Sequence, residues 1–529
     1  MKELLGTRTA VSEQAAIGIS VFVVGLWIAW QIGGEIVTNS FGPMEFGAVG
    51  VAGIIVAIYI LKDWRTGFYM FLVWLLMEDL VRKYLGNNMA IYFGKDALVG
   101  LVYISFFAQV RRGKEKLFRP PFMPFLLVFL WLGAIQVFNQ NSPSFLYGIL
   151  GFKLYFYYVP LVFVGYALIR TDADLTKFLM VNAYLGGAIS IIGIIQAIVG
   201  HSFLNPATLA PELKELGELD RYSPISNQLV TLPTAVFVSA GRLGLYLIST
   251  IILSVGTAGY LLLSTEKHRK VVFIVIALVG GATIFSGSRT AVVYGAGSLL
   301  VLTPGFIWGA PWRWRQAHRM IRAIRTAAIV SALGFVLIFL IFPDEIAPRV
   351  AFYTETLDPN SSASEIGHRS WEYPIRNLLG AFDGPNWIFG NGIGTASLGG
   401  QYVAKLLGQR QIDIWVEEGY GVLIVEMGVV APFLWLLWTG ALIYTSWKVV
   451  TGLRQTRFFP IALSIFWFAF LLLFPFTYGG MSAYQNFVCN MFLWILVGIL
   501  FKLPKLQENV PSYFESTAPK RRRAIGFQF

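Results

Sequence analysis

Residues 271–310 read VVFIVIALVGGATIFSGSRTAVVYGAGSLLVLTPGFIWGA, and one charge, Arg289, stands in the whole stretch. Apolar runs on either side of Ser286-Gly287-Ser288-Arg289 approach the length of a helical span, for which about 20 residues is typical. The four-residue step therefore reads as a break between two membrane helices. An arginine at the bilayer centre costs about 2.5–3.5 kcal/mol on insertion scales. Arg289 is thus expected at a membrane surface, where an anionic group offsets that cost.

The chain around this stretch has the same character. It is 56% hydrophobic, 16% aromatic and only 13% charged, with a positive mean hydropathy. That composition excludes a soluble multidomain protein. About fourteen apolar stretches centre near residues 26, 54, 73, 103, 130, 160, 189, 254, 279, 300, 334, 430, 468 and 494. The fold class expected is all-α: a polytopic membrane bundle of about 12–14 transmembrane helices over residues 1–503, on the span length just given. The first apolar segment lacks a small-residue cleavage site and reads as an anchor rather than a removed signal peptide. Residues 504–529 contain Pro and Ser and end in Lys520-Arg521-Arg522-Arg523, which reads as a flexible basic tail touching anionic lipid.

The net charge of +12 is a topology signal. With the N-terminus in the cytoplasm, 28 of the 41 basic residues fall in inner segments, as the positive-inside rule requires. Membrane lipids, not nucleic acid, are the partners this basicity implies. The single cysteine, Cys489, rules out an intrachain disulfide and a Cys-rich metal site. The four histidines are scattered, and no metal site is expected. There is no Walker loop, no dinucleotide fingerprint and no soluble domain, so no nucleotide or other cofactor is expected.

This topology leaves two long outer segments, about 201–241 and about 343–418. The first offers a short amphipathic helix over Pro211–Gly217. In the second, Ser361-Ser362-Ala363-Ser364-Glu365 reads as a helix start, with a serine cap and an acid in the first turn. The helix carries His368, Arg369, Trp371, Glu372 and Arg376, and Pro374 should kink it. Arg369, Glu372 and Arg376 share one face and Trp371, Ile375 and Leu379 another, which suits a helix lying at the membrane surface. Behind it, Trp387-Ile388-Phe389-Gly390-Asn391-Gly392-Ile393-Gly394 is a glycine-rich turn whose backbone N–H groups are able to approach an anion.

Three segments together resemble the O-antigen ligase and O-antigen polymerase superfamily of bacterial membrane glycosyltransferases. They are Gly287-Ser288-Arg289 opening a span; Arg369-x-Trp371 followed by Phe389-Gly390-x-Gly392-x-Gly394; and Glu417-Glu418-x-Tyr420 followed by Glu426-x-Gly428. The resemblance runs from about residue 240 to 445, and the N-terminal half matches only in hydropathy. The family's third motif begins His-Asn, with a glutamate nine residues after the histidine. Here a carboxylate, Glu417, stands at the histidine's place, which favours the polymerases over the ligases. Arg369 and Gly380 also fit the spacing of an arginine and a glycine described for such polymerases.

The resemblance implies transfer of an oligosaccharide from a polyprenyl-diphosphate donor to a glycan acceptor, at the outer face of the bacterial inner membrane, in O-antigen, capsule or exopolysaccharide assembly. Both termini would be cytoplasmic, and envelope-assembly partners are expected. The departing diphosphate gathers negative charge, and guanidinium groups match its oxygens without a metal. Arg289 and Arg369 are the first candidates for that work, with Arg242 and Arg376 behind them. Glu417 or Glu418 is the candidate base for the acceptor hydroxyl. The alternatives are an O-antigen ligase acting on a lipid core or protein acceptor, a lipid-linked glycan transporter or flippase, and a non-catalytic scaffold.

Plain structural roles compete at each position. Arg289 would snorkel or cap a helix, Arg369 and Arg376 would form a solvated face, and Glu417 and Glu418 would favour a helix dipole. Glu426 is expected to pair inside the bundle and Lys153 to snorkel. Glu78-Asp79 with Arg82-Lys83 reads as a local ion-pair cluster. Asp172-Ala173-Asp174 resembles a metal-binding glycosyltransferase motif, but Thr171 before it favours helix capping.

Overall fold

The computed structural model describes residues 43–85, 89–200, 202–206, 220–264, 268–309, 341–397 and 419–508, with scattered positions between 322 and 340 and between 400 and 416. The protein is all-α and multi-pass. Among the described residues, eight helices are long and apolar enough to cross a membrane: Ile91–Arg111, Phe145–Leu168, Asp172–Val199, Ala240–Leu263, Arg289–Gly309, Val430–Gly452, Phe459–Gly479 and Phe487–Glu508. The span expected near residue 26 lies outside the described residues, and the one near 334 falls where only scattered positions are described. The amphipathic helix expected over Pro211–Gly217 and the tail 509–529 also lie outside them.

The helices follow in order: α1 (Pro43–Lys62), α2 (Trp64–Leu85), α3 (Met89–Arg111), α4 (Met123–Gln136), α5 (Phe145–Phe156), α6 (Leu161–Leu168) and α7 (Asp172–Val199). A two-stranded antiparallel hairpin, β1 (Asp220–Tyr222) and β2 (Leu229–Thr231), comes next, with Asp220 opposite Thr231. Then come α8 (Ala240–Leu263), α9 (Arg269–Phe285), α10 (Arg289–Gly309), α11 (Pro343–Leu357), α12 (Tyr373–Gly380), α13 (Tyr420–Met427), α14 (Val430–Gly452), α15 (Phe459–Leu471) and α16 (Phe487–Glu508). The span expected around 430 begins there instead: Gly428, at φ 84°, separates α13 from α14. The capping expected at Thr171 is present, since its hydroxyl and the Asp174 side chain form a reciprocal capping box. Asp172 instead accepts from the Tyr260 hydroxyl at 2.6 Å and faces Arg457 at 3.2 Å.

The core is built on α16, which is buried along most of its length. Gly165 of α6 and Gly498 of α16 let these helices touch backbone to backbone: a Cβ on either would fall 2.2–2.3 Å from a carbonyl oxygen of the other. Small residues at such crossings are how membrane helices gain packing where lipid supplies no hydrophobic drive. Aromatics fill the next layer. Trp435 meets Tyr484 edge-on at 4.8 Å and Trp438 stacks on Trp494 at 5.8 Å.

The end of α2, the end of α7, residues 220–239, the α9–α10 turn and α11 meet at one end of the bundle. Hydrogen bonds tie these pieces together. Gln196 near the end of α7 accepts from Thr234 and Ala235 N–H at 2.8 and 2.6 Å, and Lys83 of α2 donates to the Thr234 hydroxyl and the Ala235 carbonyl, both at 2.8 Å.

Candidate functional site: a guanidinium pair on one carboxylate

The α9–α10 break is built by local chemistry. Gly287 takes φ 65°, and any side chain there would also strike Leu232, 2.3 Å from an ideal Cβ. Ser286 donates to the Thr283 carbonyl at 2.7 Å and accepts the Ser288 N–H at 3.1 Å. The Ser288 hydroxyl accepts the Ala291 N–H at 3.3 Å, as an N-cap does. Arg289 is then the first residue of α10. A cation at the positive end of a helix dipole is unfavourable, so the position calls for an anion. The structure supplies Glu365, whose carboxylate pairs with the Arg289 guanidinium.

The same carboxylate accepts from Arg369 Nε at 3.3 Å. Arg289 and Arg369, distant in sequence, therefore meet on one acidic side chain. Arg289 is 16% exposed, Glu365 35% and Arg369 59%, so the group opens outward through Arg369. Aromatic faces flank it: Phe352 lies 5.1 Å from the Arg289 guanidinium and Tyr373 5.4 Å from that of Arg369. Partial burial pushes the Glu365 carboxyl up, but hydrogen bonds and charge from Arg289 and then Arg369 outweigh it and hold the group below its usual range.

Helix α11 carries this arrangement. Its Tyr353 hydroxyl donates to the Ile284 carbonyl at 2.9 Å, and its Glu355 accepts from Ile225 and Ser226 N–H at 2.8 and 3.1 Å, gripping the hairpin turn. Arg349, 2% exposed, was not singled out from the sequence. It donates to the carbonyls of Phe285, Thr231 and Ala197 at 3.1, 2.9 and 3.3 Å, so it staples the ends of α9, β2 and α7 to α11. Pro343-Asp344-Glu345, a proline in the first turn with acids beside it, was the available sign of this helix.

The second outer helix starts at Ile366, not at the 361–365 serines. His368–Glu372 forms a π turn immediately before Pro374, the interruption a proline imposes on the ladder preceding it. His368 faces Glu372 at 3.2 Å. Trp371 and Leu379 are 67% and 60% exposed. Arg376 is exposed on α12.

The glycine-rich turn differs from expectation. Its N–H groups serve the protein's own chain: Asn391 and Gly392 N–H donate to the Val425 and Glu426 carbonyls at 2.8 and 3.0 Å. Ala396 N–H donates to the Glu426 carboxyl oxygen at 3.2 Å, so what this turn approaches is a buried side chain of α13. Glu426 is 0% exposed, and the partner shown for it is this backbone N–H rather than the charged side chain expected. Glu417 and Glu418 lie outside the described residues, and their role as a base has no structural account.

Arg242 does not join Arg289. It binds Asp79 through two contacts of 2.8 and 2.6 Å within a buried cluster. Asp79 also pairs with Arg82 at 3.1 Å, Glu78 with Lys95 at 2.9 Å, and Asp96 with Lys153 at 2.5 Å. The ion pairs expected inside α2 therefore extend to α3, α5 and α8, and Lys153 is paired rather than snorkelling. The two groups are neighbours all the same, because α8 packs on the break: a Cβ on Gly244 would lie 2.8 Å from Ser288 Oγ. No three His, Cys, Asp or Glu side chains gather as metal ligands among the described residues. Compared with protein-family models, with curated proteins and with solved structures, the chain matches none.

Proposed function

We propose that the protein is a membrane glycosyltransferase of the O-antigen polymerase or ligase kind. It would move oligosaccharide from a polyprenyl-diphosphate donor to a glycan acceptor at the outer face of a bacterial inner membrane, with both termini cytoplasmic. The observation that carries this reading is the meeting of Arg289 and Arg369 on Glu365 at a helix start. A diphosphate leaving group gains charge as its glycosidic bond breaks, and catalysis requires that charge to be bound more tightly in the transition state than in the substrate. Two guanidinium groups held by a single carboxylate keep one positive charge in excess. Their fork geometry matches phosphate oxygens. In this reading Glu365 orients the pair until the diphosphate takes over as their counter-ion, and Glu417 or Glu418 accepts the acceptor's proton as it attacks.

The test is reconstitution. Purified protein in detergent, given lipid-linked repeat units, should yield longer glycans on a gel if it polymerises, or a glycan joined to a lipid core or protein if it ligates. Arg289→Ala and Arg369→Ala should each lower the rate by about 100–1,000-fold, the usual effect of removing one donor from a developing anion. Full activity in both variants sinks the guanidinium clamp, and an inert, folded wild type sinks catalysis.

A transporter of lipid-linked glycans is the rival class. The observation favouring it is the set of ionisable side chains inside the bundle, which in membrane proteins often mark a translocation path. Movement of labelled lipid-linked sugar across proteoliposomes, with no change in its length, would establish that reading instead.

A further inference from the structure

We propose that the turn Asn386–Gly390 is a wedge seated in the bilayer, with the side chains of Ile388 and Phe389 among the acyl chains of the lipid and the Trp387 indole at headgroup level. The inference needs only the multi-pass fold and stands apart from the glycosyltransferase reading. Three adjacent apolar side chains are presented outward: Phe389 is 75%, Ile388 49% and Trp387 37% exposed. The sequence from Gly384 to Ser397 holds no charge. Such a run is unfavourable in water, since burying a Phe or Ile side chain is worth about 1.5–3 kcal/mol.

The depth of the turn follows from what holds it. Val429 N–H, at the start of α14, donates to the Ile388 carbonyl at 3.3 Å. Gln136, the last residue of α4, donates to the Phe389 carbonyl at 2.7 Å. Asn139 and Asn141, between α4 and α5, donate to that of Gly390 at 3.1 and 3.3 Å. The turn is therefore level with the first turns of two spans, those that begin at Phe145 and Val430. The 23 residues of α14 rise about 34 Å at 1.5 Å each, against a hydrocarbon core of about 30 Å, so this level is the membrane boundary. Exposed apolar side chains at the same level lead up to the turn. Phe433 on α14 is 70% exposed, and Phe138, beside Asn139, is 73% exposed with its ring 5.4 Å from that of Phe145. The backbone suits the place as well. Non-helical chain is tolerated at membrane depth only where protein meets its polar groups, and the carbonyls of Ile388, Phe389 and Gly390 all accept. Close packing fixes the turn there: a Cβ on Gly428 would lie 2.3 Å from the Ile388 carbonyl oxygen, and one on Gly390 2.6 Å from that of Glu426. Indole rings settle among headgroups, the level assigned to Trp387.

The test uses full-length protein in phosphatidylcholine nanodiscs that hold no polyprenyl lipid, so that bilayer lipid is the occupant under test. An environment-sensitive dye is attached through Phe389→Cys. The wild type, whose one cysteine is the buried Cys489, is the labelling blank, and Asp383→Cys, at an exposed position, is the water-facing control. Lipid carrying a nitroxide high on its acyl chain should quench the dye at 389 about twofold, as a wedge reaching about 5–10 Å into the headgroup and acyl boundary requires. A nitroxide near the end of the chain should quench it less. Iodide in the buffer should quench the dye at 383 and not the one at 389. Quenching at 389 by iodide alone puts the turn in water and overturns the proposal. Shielding from both quenchers means that protein covers the turn, whether residues 398–418 or a second copy of the chain, and overturns it equally. A second measurement leaves the side chains intact. Phosphatidylcholine with a diazirine on its acyl chain is irradiated with the wild-type protein, and the adducts are mapped by mass spectrometry. Adducts are expected on 387–389 as well as on Phe433. Adducts on Phe433 with none on 387–389 overturn the proposal however the dye behaves.

Discussion

The two basic groups at one end of the bundle solve opposite problems with the same side chains. In the cluster around Asp79, most charges are sealed and each carboxylate is bound on more than one side. In the trio around Glu365, one carboxylate is shared by two guanidinium groups, and Arg369 is largely in solvent. Dry ion pairs are rigid and unforgiving, because removing one partner strands a charge. Exposed pairs are weak and exchangeable. The first arrangement suits a fixed framework, the second a site that must trade one anion for another.

The largest expected difference follows from that contrast. Asp79→Ala strands Arg242 and takes one of Arg82's partners away, and breaking such a buried pair costs about 3–5 kcal/mol. The variant should lose most of its folded yield in detergent, read by size-exclusion profile and thermal midpoint. If Asp79→Ala were as stable as the wild type, the cluster would not be a framework and the comparison would collapse.

Gly394→Ala comes next. Gly394 sits at φ 91° with Tyr147 O 2.3 Å and Gly151 Cα 2.8 Å from an ideal Cβ, so the substitution forces backbone apart as well as strain. A left-handed conformation alone costs an L-residue about 1–2 kcal/mol, and the overlap adds to it. The expected result is a clear fall in thermal midpoint with the Glu426 contacts loosened. A neutral outcome would mean that the turn is adaptable, as a ligand-binding loop is.

These cases also mark what sequence was able to tell. Ser286–Arg289 was legible because its causes are local: a glycine for the left-handed turn, a serine for the cap, a cation at the first helical position. The helical membrane bundle was legible for the same reason, since each span's length and apolarity are written in consecutive residues. Partners were not. Glu365 reads locally as a first-turn acid, and only the packing of α11 against α9 turns it towards Arg289. The sequence groups Arg242 with the diphosphate candidates, while its counter-ion, Asp79, lies 163 residues away. Sequence presents the glycine-rich turn as open to an anion because it does not show that Gly390 packs against the α13–α14 joint. Pairing between distant segments leaves no periodicity to read.

Acid sharpens the comparison further. The Glu365 carboxyl is held below its ordinary range, so it stabilises the trio at pH values above its unfolded value and loses that effect as pH falls through the folded one. At neutral pH the trio is intact. Below about pH 4.5, the ordinary value from which the group is depressed, protonation should begin to free both arginines. Hydrogen-exchange protection across 361–373, taken relative to the intrinsic rate at each pH, should fall there before the helical bundle opens. Opening of this segment between pH 6 and 8 would show that another group governs it.

The smallest expected change in stability carries the sharpest functional consequence. Glu365→Gln keeps the shape and a carbonyl acceptor but removes the charge that Arg289 and Arg369 share. Exposed pairs of this kind contribute about 0–1 kcal/mol, so the thermal midpoint should scarcely move. Yet if Glu365 holds the place of the substrate's anion, its neutral replacement no longer competes for the guanidinium groups. Pyrophosphate affinity should then rise. Should affinity fall instead, the carboxylate is aligning the two arginines more than it is competing for them, and Glu365 becomes a positioning residue of the trio. The sign of that one change separates a counter-ion that leaves from one that stays.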